Sequence, residues 1–121
     1  MTVAGRAPEH GFPRSARLLV GREYQRVFSR ARRLPGTRFM VLYRPQDLPA
    51  GPARLGLAVS RKHARRAVDR NRLKRIAREA FRARRQALPP VDIIVLSRAG
   101  AARAGGAELR AELDRLLEKL K

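Results

Sequence analysis

The 121-residue sequence predicts an α/β (α+β) two-layer sandwich: a small sheet covered by three helices, in the order α-β-β-α-β-α. Three observations lead there. Apolar residues recur at helical spacing in three segments, alternate or run continuously at strand spacing in three others, and prolines and glycines punctuate the joints. At this length one compact domain with a single core is expected, and a second sizeable domain is excluded.

Residues 1–16 carry Gly5, Pro8, Gly11 and Pro13 without periodicity, which predicts an extended N-terminal arm and leaves residues 17–121 as the folded domain. From Arg22 to Ala31, Tyr24, Val27, Phe28 and Ala31 fall at i, i+3, i+4 and i+7, one face of a first helix that Pro35-Gly36 ends. Phe39–Tyr43 is a β-rich run, and a short extra strand near Leu34 fits beside it. Arg54–Ser60 alternates, with Leu55, Leu57 and Val59 on one face and Gly56, Ala58 and Ser60 on the other. Pro45–Pro52, rich in proline, suits a loop joining these two strands as antiparallel neighbours. From Ala67 to Leu88, Leu73, Ile76, Ala77, Ala80 and Ala87 lie near one line, predicting a long second helix ended by Pro89-Pro90. Val91–Leu96 reads as a buried strand and Gly100–Gly106 as a small-residue linker. Leu109, Leu113, Leu116, Leu117 and Leu120 mark a third helix, with Glu108 and Glu112 early and Lys119 and Lys121 late, as the helix dipole favours.

Charge narrows the partners. Lys and Arg number 29 against 10 Asp and Glu, a net charge of +19 with pI near 12.0, yet 44% of residues are hydrophobic. A folded polyanion binder fits both facts. The absence of cysteine excludes disulfides, thiolate metal sites and a cysteine nucleophile, and points to a reducing compartment. The longest apolar run, Ile93–Leu96, falls far short of the roughly 20 residues of a membrane span. With an N-terminus that lacks an apolar signal region, a cytoplasmic location without membrane contact is expected.

On the second helix, Asn71, Arg75, Arg78, Arg82 and Arg85 lie opposite the apolar line, with Lys74 beside them. Arg61, Lys62, His63, Arg65, Arg66, Arg70 and Arg72 extend this cationic surface at the helix entry, and only Asp69 and Glu79 are near to neutralise it. Such a stripe predicts phosphate contacts. Tyr24, Phe28, Phe39 and Tyr43 are placed either to stack on unpaired bases or to fill the core. The Gly56, Ala58 and Ser60 face leaves room either for a nucleic-acid strand or for a packed helix. His10 and His63 lack a carboxylate at metal-site or catalytic spacing and are read as phosphate contacts or exposed groups. The carboxylates are scattered: Asp69 caps or screens the second helix, Asp92 precedes a strand, and Glu108, Glu112, Asp114 and Glu118 decorate the last helix. Neither catalytic nor metal-binding residues are expected, and no Gly-rich phosphate loop supports a cofactor.

The run Arg70-Asn71-Arg72-Leu73-Lys74-Arg75, continuing through Ile76-Ala77-Arg78-Glu79-Ala80-Phe81-Arg82, closely resembles the signature helix of the bacterial ribonuclease P protein component. Further landmarks of that family follow in order: Phe12-Pro13-Arg14, Arg17-Leu18, Tyr24 with Val27-Phe28, Tyr43, Arg54 through Lys62, and Leu88-Pro89 before Asp92-Ile93-Ile94-Val95. The resemblance implies a small mixed sheet like the second domain of ribosomal protein S5, with a left-handed crossover around the signature helix. It implies a protein subunit of an endoribonuclease, a hydrolase that removes the 5′ leader of precursor tRNA, with the active site and its Mg²⁺ in the RNA subunit. Partners would be the catalytic RNA and precursor tRNA, with no obligate protein partner. By the same resemblance Arg61, Lys62, Arg65, Arg66, Arg70, Asn71, Arg72, Lys74, Arg75, Arg78 and Arg82 would bind RNA. Tyr24, Phe28 and Tyr43, with Ala58 and Ser60, would line a cleft for the single-stranded leader. Two departures stand out: His63-Ala64-Arg65-Arg66 is one residue longer and more basic than in many members, and Tyr24 replaces a frequent phenylalanine. Charge, size and topology alone would equally suit a structural RNA-binding protein of ribosomal type.

Overall fold

The computed structural model describes residues 21–46 and 53–120, so the predicted arm over 1–16 lies outside the described residues. Its elements are α1 (Gly21–Arg30), β1 (Arg32–Pro35), β2 (Phe39–Pro45), β3 (Arg54–Ala58), α2 (Ala67–Arg84), β4 (Val91–Ser97) and α3 (Gly106–Glu118). The extra strand near Leu34 is β1. Short 3-10 turns cover Arg85–Ala87 and Ala101–Arg103, so α2 closes earlier than its apolar pattern suggests and Ala87 is exposed. The Gly100–Gly106 segment is thus a turn with buried Ala101 and Ala104 rather than a plain linker.

The four strands form one mixed sheet in the order β1-β2-β4-β3. β1 pairs with β2 and β2 with β4, both antiparallel, while β3 runs parallel to β4. The expectation that β2 and β3 are antiparallel neighbours is therefore corrected: β4 lies between them. The reason is the continuous apolar run of β4. Its residues are buried on both faces, apart from a half-buried Leu96, and an internal strand is where both faces can be covered. β3 reaches β4 through α2, the crossover that a parallel neighbour requires.

Strand alternation sorts the core into two clusters. Phe39, Val41, Leu55, Ile93 and Val95 face α2 and α3, where Leu73, Ile76, Phe81, Leu109, Leu113 and Leu117 complete the main core. On the other face Leu42 and Ile94, cross-strand partners in register, receive Val27 of α1. Each such fully buried aliphatic or aromatic side chain stabilises the fold by about 1.5–3 kcal/mol.

Glu112 does more than decorate α3. Only 3% exposed, it accepts the backbone N–H of Arg38 at 2.9 Å and of Phe39 at 2.8 Å, clasping the β1–β2 hairpin to the helix. Gly36 makes the approach possible, since a Cβ there would sit 2.4 Å from Glu112 Oε2 and 2.9 Å from the Phe39 carbonyl. Gly36→Ala is expected to lower unfolding stability by about 1–3 kcal/mol, measured by urea denaturation. An unchanged midpoint would mean that the hairpin shifts at no cost.

Candidate nucleic-acid interface

α2 buries Leu73, Ile76, Ala77, Ala80 and Phe81, and this fixes what its opposite side presents. At 3.6 residues per turn Asn71, Arg75, Arg78 and Arg82 fall within about 60° of one another, diametrically across from the buried line. All four are exposed, and Lys74 lies half-buried at the flank. Arg61, Lys62, Arg65 and Arg66 are exposed on the preceding loop. Asp69 approaches Arg66 at 4.0 Å, a weak screen at the helix entry.

The signature run divides by function within a single turn. Arg70 turns back on the loop, its Nη1 donating to the carbonyls of Ala64 at 3.1 Å and Arg65 at 2.7 Å. Arg72 reaches the other way, Nη2 donating to the carbonyls of Ala102 at 3.0 Å and Ala104 at 3.2 Å. These two guanidinium groups hold both flanks of α2 in place, whereas Arg75 and Arg78 point outward. Arg85, also counted in the stripe, donates Nε to the Ala53 carbonyl at 3.3 Å.

The sheet face under α1 shows what Gly56 and the aromatic side chains contact. Gly56 gives room to a packed helix: a Cβ there would meet the Tyr24 ring at 2.7 Å. The Tyr24 hydroxyl also accepts the Leu57 N–H at 3.2 Å, covering part of the edge strand β3. Tyr24 is thus half-buried structure, with Ala58 packed at the margin of the same cluster. Phe28 lies one helical turn on and is 47% exposed, a large apolar side chain that the core does not use. Tyr43 departs from the expected grouping. It is in register with Ile93 and packs against the main core, because strand alternation turns it away from the face that Leu42 shares with α1. Ser60 stands just beyond β3, its N–H donated to the Ser97 hydroxyl at 3.0 Å and its own hydroxyl accepting the Lys62 N–H at 3.0 Å.

The sequence reading missed Asp92 as an organising group. It lies within β4, fully buried, between cross-strand neighbours Arg44 and Arg54. Arg54 grips it with Nε to Oδ1 at 2.9 Å and Nη2 to Oδ2 at 2.8 Å. Arg26 of α1 donates to Oδ2 at 2.9 Å and Gln46 to Oδ1 at 3.2 Å. Arg44 in turn donates to the Arg26 carbonyl at 2.8 Å. One carboxylate thereby ties α1 to the sheet in a fixed orientation, and Phe28 with it. A single Asp between arginines two strands apart was the only sequence signal, legible only with the strand order known.

Among the described residues no group of three or more His, Asp or Glu could hold a metal ion, and no helix is long and apolar enough to cross a membrane. The exposed cations, by contrast, form one surface from the loop after β3 along α2.

Comparison with known proteins shows the family of the chain. The Ribonuclease P family model matches residues 12–121. The ribonuclease P protein component of Thioalkalivibrio sulfidiphilus is 47% identical over 114 residues, covering 94% of this chain and 93% of the relative. That of Chromohalobacter salexigens is 46% identical over 113 residues, covering 93% and 87%. Among solved structures, the Staphylococcus aureus RNase P protein superposes with a TM-score of 0.80 at 27% identity, covering 88% of this chain and 95% of that one. The Thermotoga maritima RNase P protein gives 0.74 at 32% identity, covering 87% and 97%.

Proposed function

This chain belongs to the ribonuclease P protein family and is the protein subunit of the endoribonuclease that processes the 5′ end of precursor tRNA, with ribonuclease P RNA as its partner; from that premise we propose how its surfaces divide the work. The exposed stripe of Asn71, Arg75, Arg78 and Arg82, with Lys74 and the loop cations Arg61, Lys62, Arg65 and Arg66, binds RNA phosphates. Guanidinium forks suit this because each can engage two phosphate oxygens at once. Arg70 and Arg72 act chiefly by fixing the loop and the turn beside the stripe.

The single-stranded leader runs along the α1 side, where Phe28 offers a stacking surface, Tyr24 forms its floor, and Ala58 and Ser60 border it. The chain supplies binding and orientation, while the RNA subunit and its Mg²⁺ supply the chemistry. Residues 17–121 act as one RNA-binding unit behind an N-terminal arm, in the cytoplasm and without an obligate protein partner. The observation that carries this reading is the exposure of Asn71, Arg75 and Arg78 on the side of α2 opposite its buried line, where the core does not need them.

Phe28→Ala is expected to weaken binding of precursor tRNA with a leader by about 1–3 kcal/mol while leaving binding of leaderless tRNA and the unfolding midpoint nearly unchanged. Fluorescence titrations of both RNAs check this. Equal losses on the two RNAs, or a lowered midpoint with unchanged binding, would place Phe28 outside the leader path.

A further inference from the structure

Between the loop after β3 and the Ala101–Arg103 turn lies an open cleft of about 470 Å³, lined by Lys62, His63, Gly100, Ala102 and Arg103 with Ala99. Two segments some forty residues apart contribute its cations, and no carboxylate lines it. Both walls are held by the fold. On one side the Ser60 carbonyl accepts the N–H of His63 at 3.1 Å and of Ala64 at 3.0 Å. On the other, Arg72 holds the carbonyls of Ala102 and Ala104, and Gly100 makes its turn at φ 85°. The His63 ring is half-buried, and its Nδ1 is buried with no hydrogen-bond partner.

We propose that this cleft binds a phosphate group, held by Lys62, His63 and Arg103. The lining offers an ammonium, a guanidinium fork and an imidazole, which match the acceptor oxygens of a phosphate approached from several sides. Its volume falls within the range of about 300–1,000 Å³ typical of small-molecule sites, so a nucleotide can enter with its phosphate. The phosphate comes either from the RNA backbone, which rests on the function proposed above, or from free inorganic phosphate, which does not.

The test follows the His63 ring nitrogens by NMR in the full-length protein, with His10→Gln used for assignment, as inorganic phosphate replaces chloride at constant ionic strength. A saturable change at His63 is expected. Arg103→Gln weakens the apparent affinity by about tenfold or more. Arg115→Gln, a charge-matched change on the exposed side of α3, leaves it unaltered. No saturable change, or the same response in Arg103→Gln as in wild type, overturns the proposal.

Binding of ribonuclease P RNA in phosphate-free buffer then separates the sources. A larger loss for Arg103→Gln than for Arg115→Gln assigns the cleft to an RNA phosphate, and equal losses assign it to free phosphate. Precursor cleavage by wild type is measured in parallel. If the protein stimulates cleavage while His63 stays silent, the cleft proposal alone fails, whereas absence of stimulation counts against the functional reading.

Discussion

Raising monovalent salt from about 50 to 200 mM is expected to lower the affinity of this protein for ribonuclease P RNA by about 10³- to 10⁵-fold, on the rules for neutralising roughly 6–10 duplex phosphates, and somewhat less for single strands. The range follows from the surface. Arg75, Arg78 and Arg82 on α2 and Arg61, Lys62, Arg65 and Arg66 on the loop are exposed, and together they number within that span. Each phosphate they neutralise releases condensed counterions, so the logarithm of affinity falls linearly with the logarithm of salt. Replacing one outward arginine, as in Arg75→Ala, reduces the slope by about one and weakens binding evenly across RNA sequences. Filter binding over a salt series measures both. A flat salt response would show that the stripe is only a solvated face.

Asp92→Ala is expected to cost about 3–5 kcal/mol of unfolding stability, because it removes the buried carboxylate on which an ion-paired network converges. Three side chains lose a hydrogen bond to Asp92 at once: Arg26, Arg54 and Gln46. The loss falls on the α1 side, since Arg54 and Gln46 remain anchored in the sheet region while Arg26 is the hub's link to the helix. Leader binding therefore weakens more than binding of leaderless tRNA, as α1 loses its fixed orientation. Urea unfolding with parallel RNA titrations checks both parts. A loss of stability below about 1 kcal/mol, the range of surface ion pairs, would mean that the hub is dispensable.

The elements were legible where periodicity was strong. The lines through Val27, Leu73 and Leu109 mark three helices, and the β4 run could only be a buried segment. Strand order was not legible, because Pro45–Pro52 reads as a short local connection and nothing local in β3 says that its neighbour is β4 rather than β2. Site residues fared according to reach. Outward positions of α2 follow from helical geometry alone, so Arg75 and Arg78 lie where the stripe predicts. The inward uses of Arg70 and Arg72 were hidden, since a long arginine can serve either backbone or solvent from the same position. Tyr43 was misgrouped because facing depends on strand register, and the parity that separates Leu42 from Tyr43 appears only once the sheet is assembled. Asp92 and Glu112 carry the same lesson: one reads as preceding a strand and the other as decorating the last helix, and both are buried once a second element, distant in the chain, closes over them.

The most direct measurement is 5′ cleavage of a precursor tRNA at low Mg²⁺ by bacterial ribonuclease P RNA, alone, with this protein, and by the protein alone. The account predicts efficient cleavage only when RNA and protein are combined, and loss of that stimulation when Arg75 and Arg78 are both replaced by alanine in a still-folded protein. Cleavage by the protein alone, or stimulation that survives removal of both arginines, would contradict it.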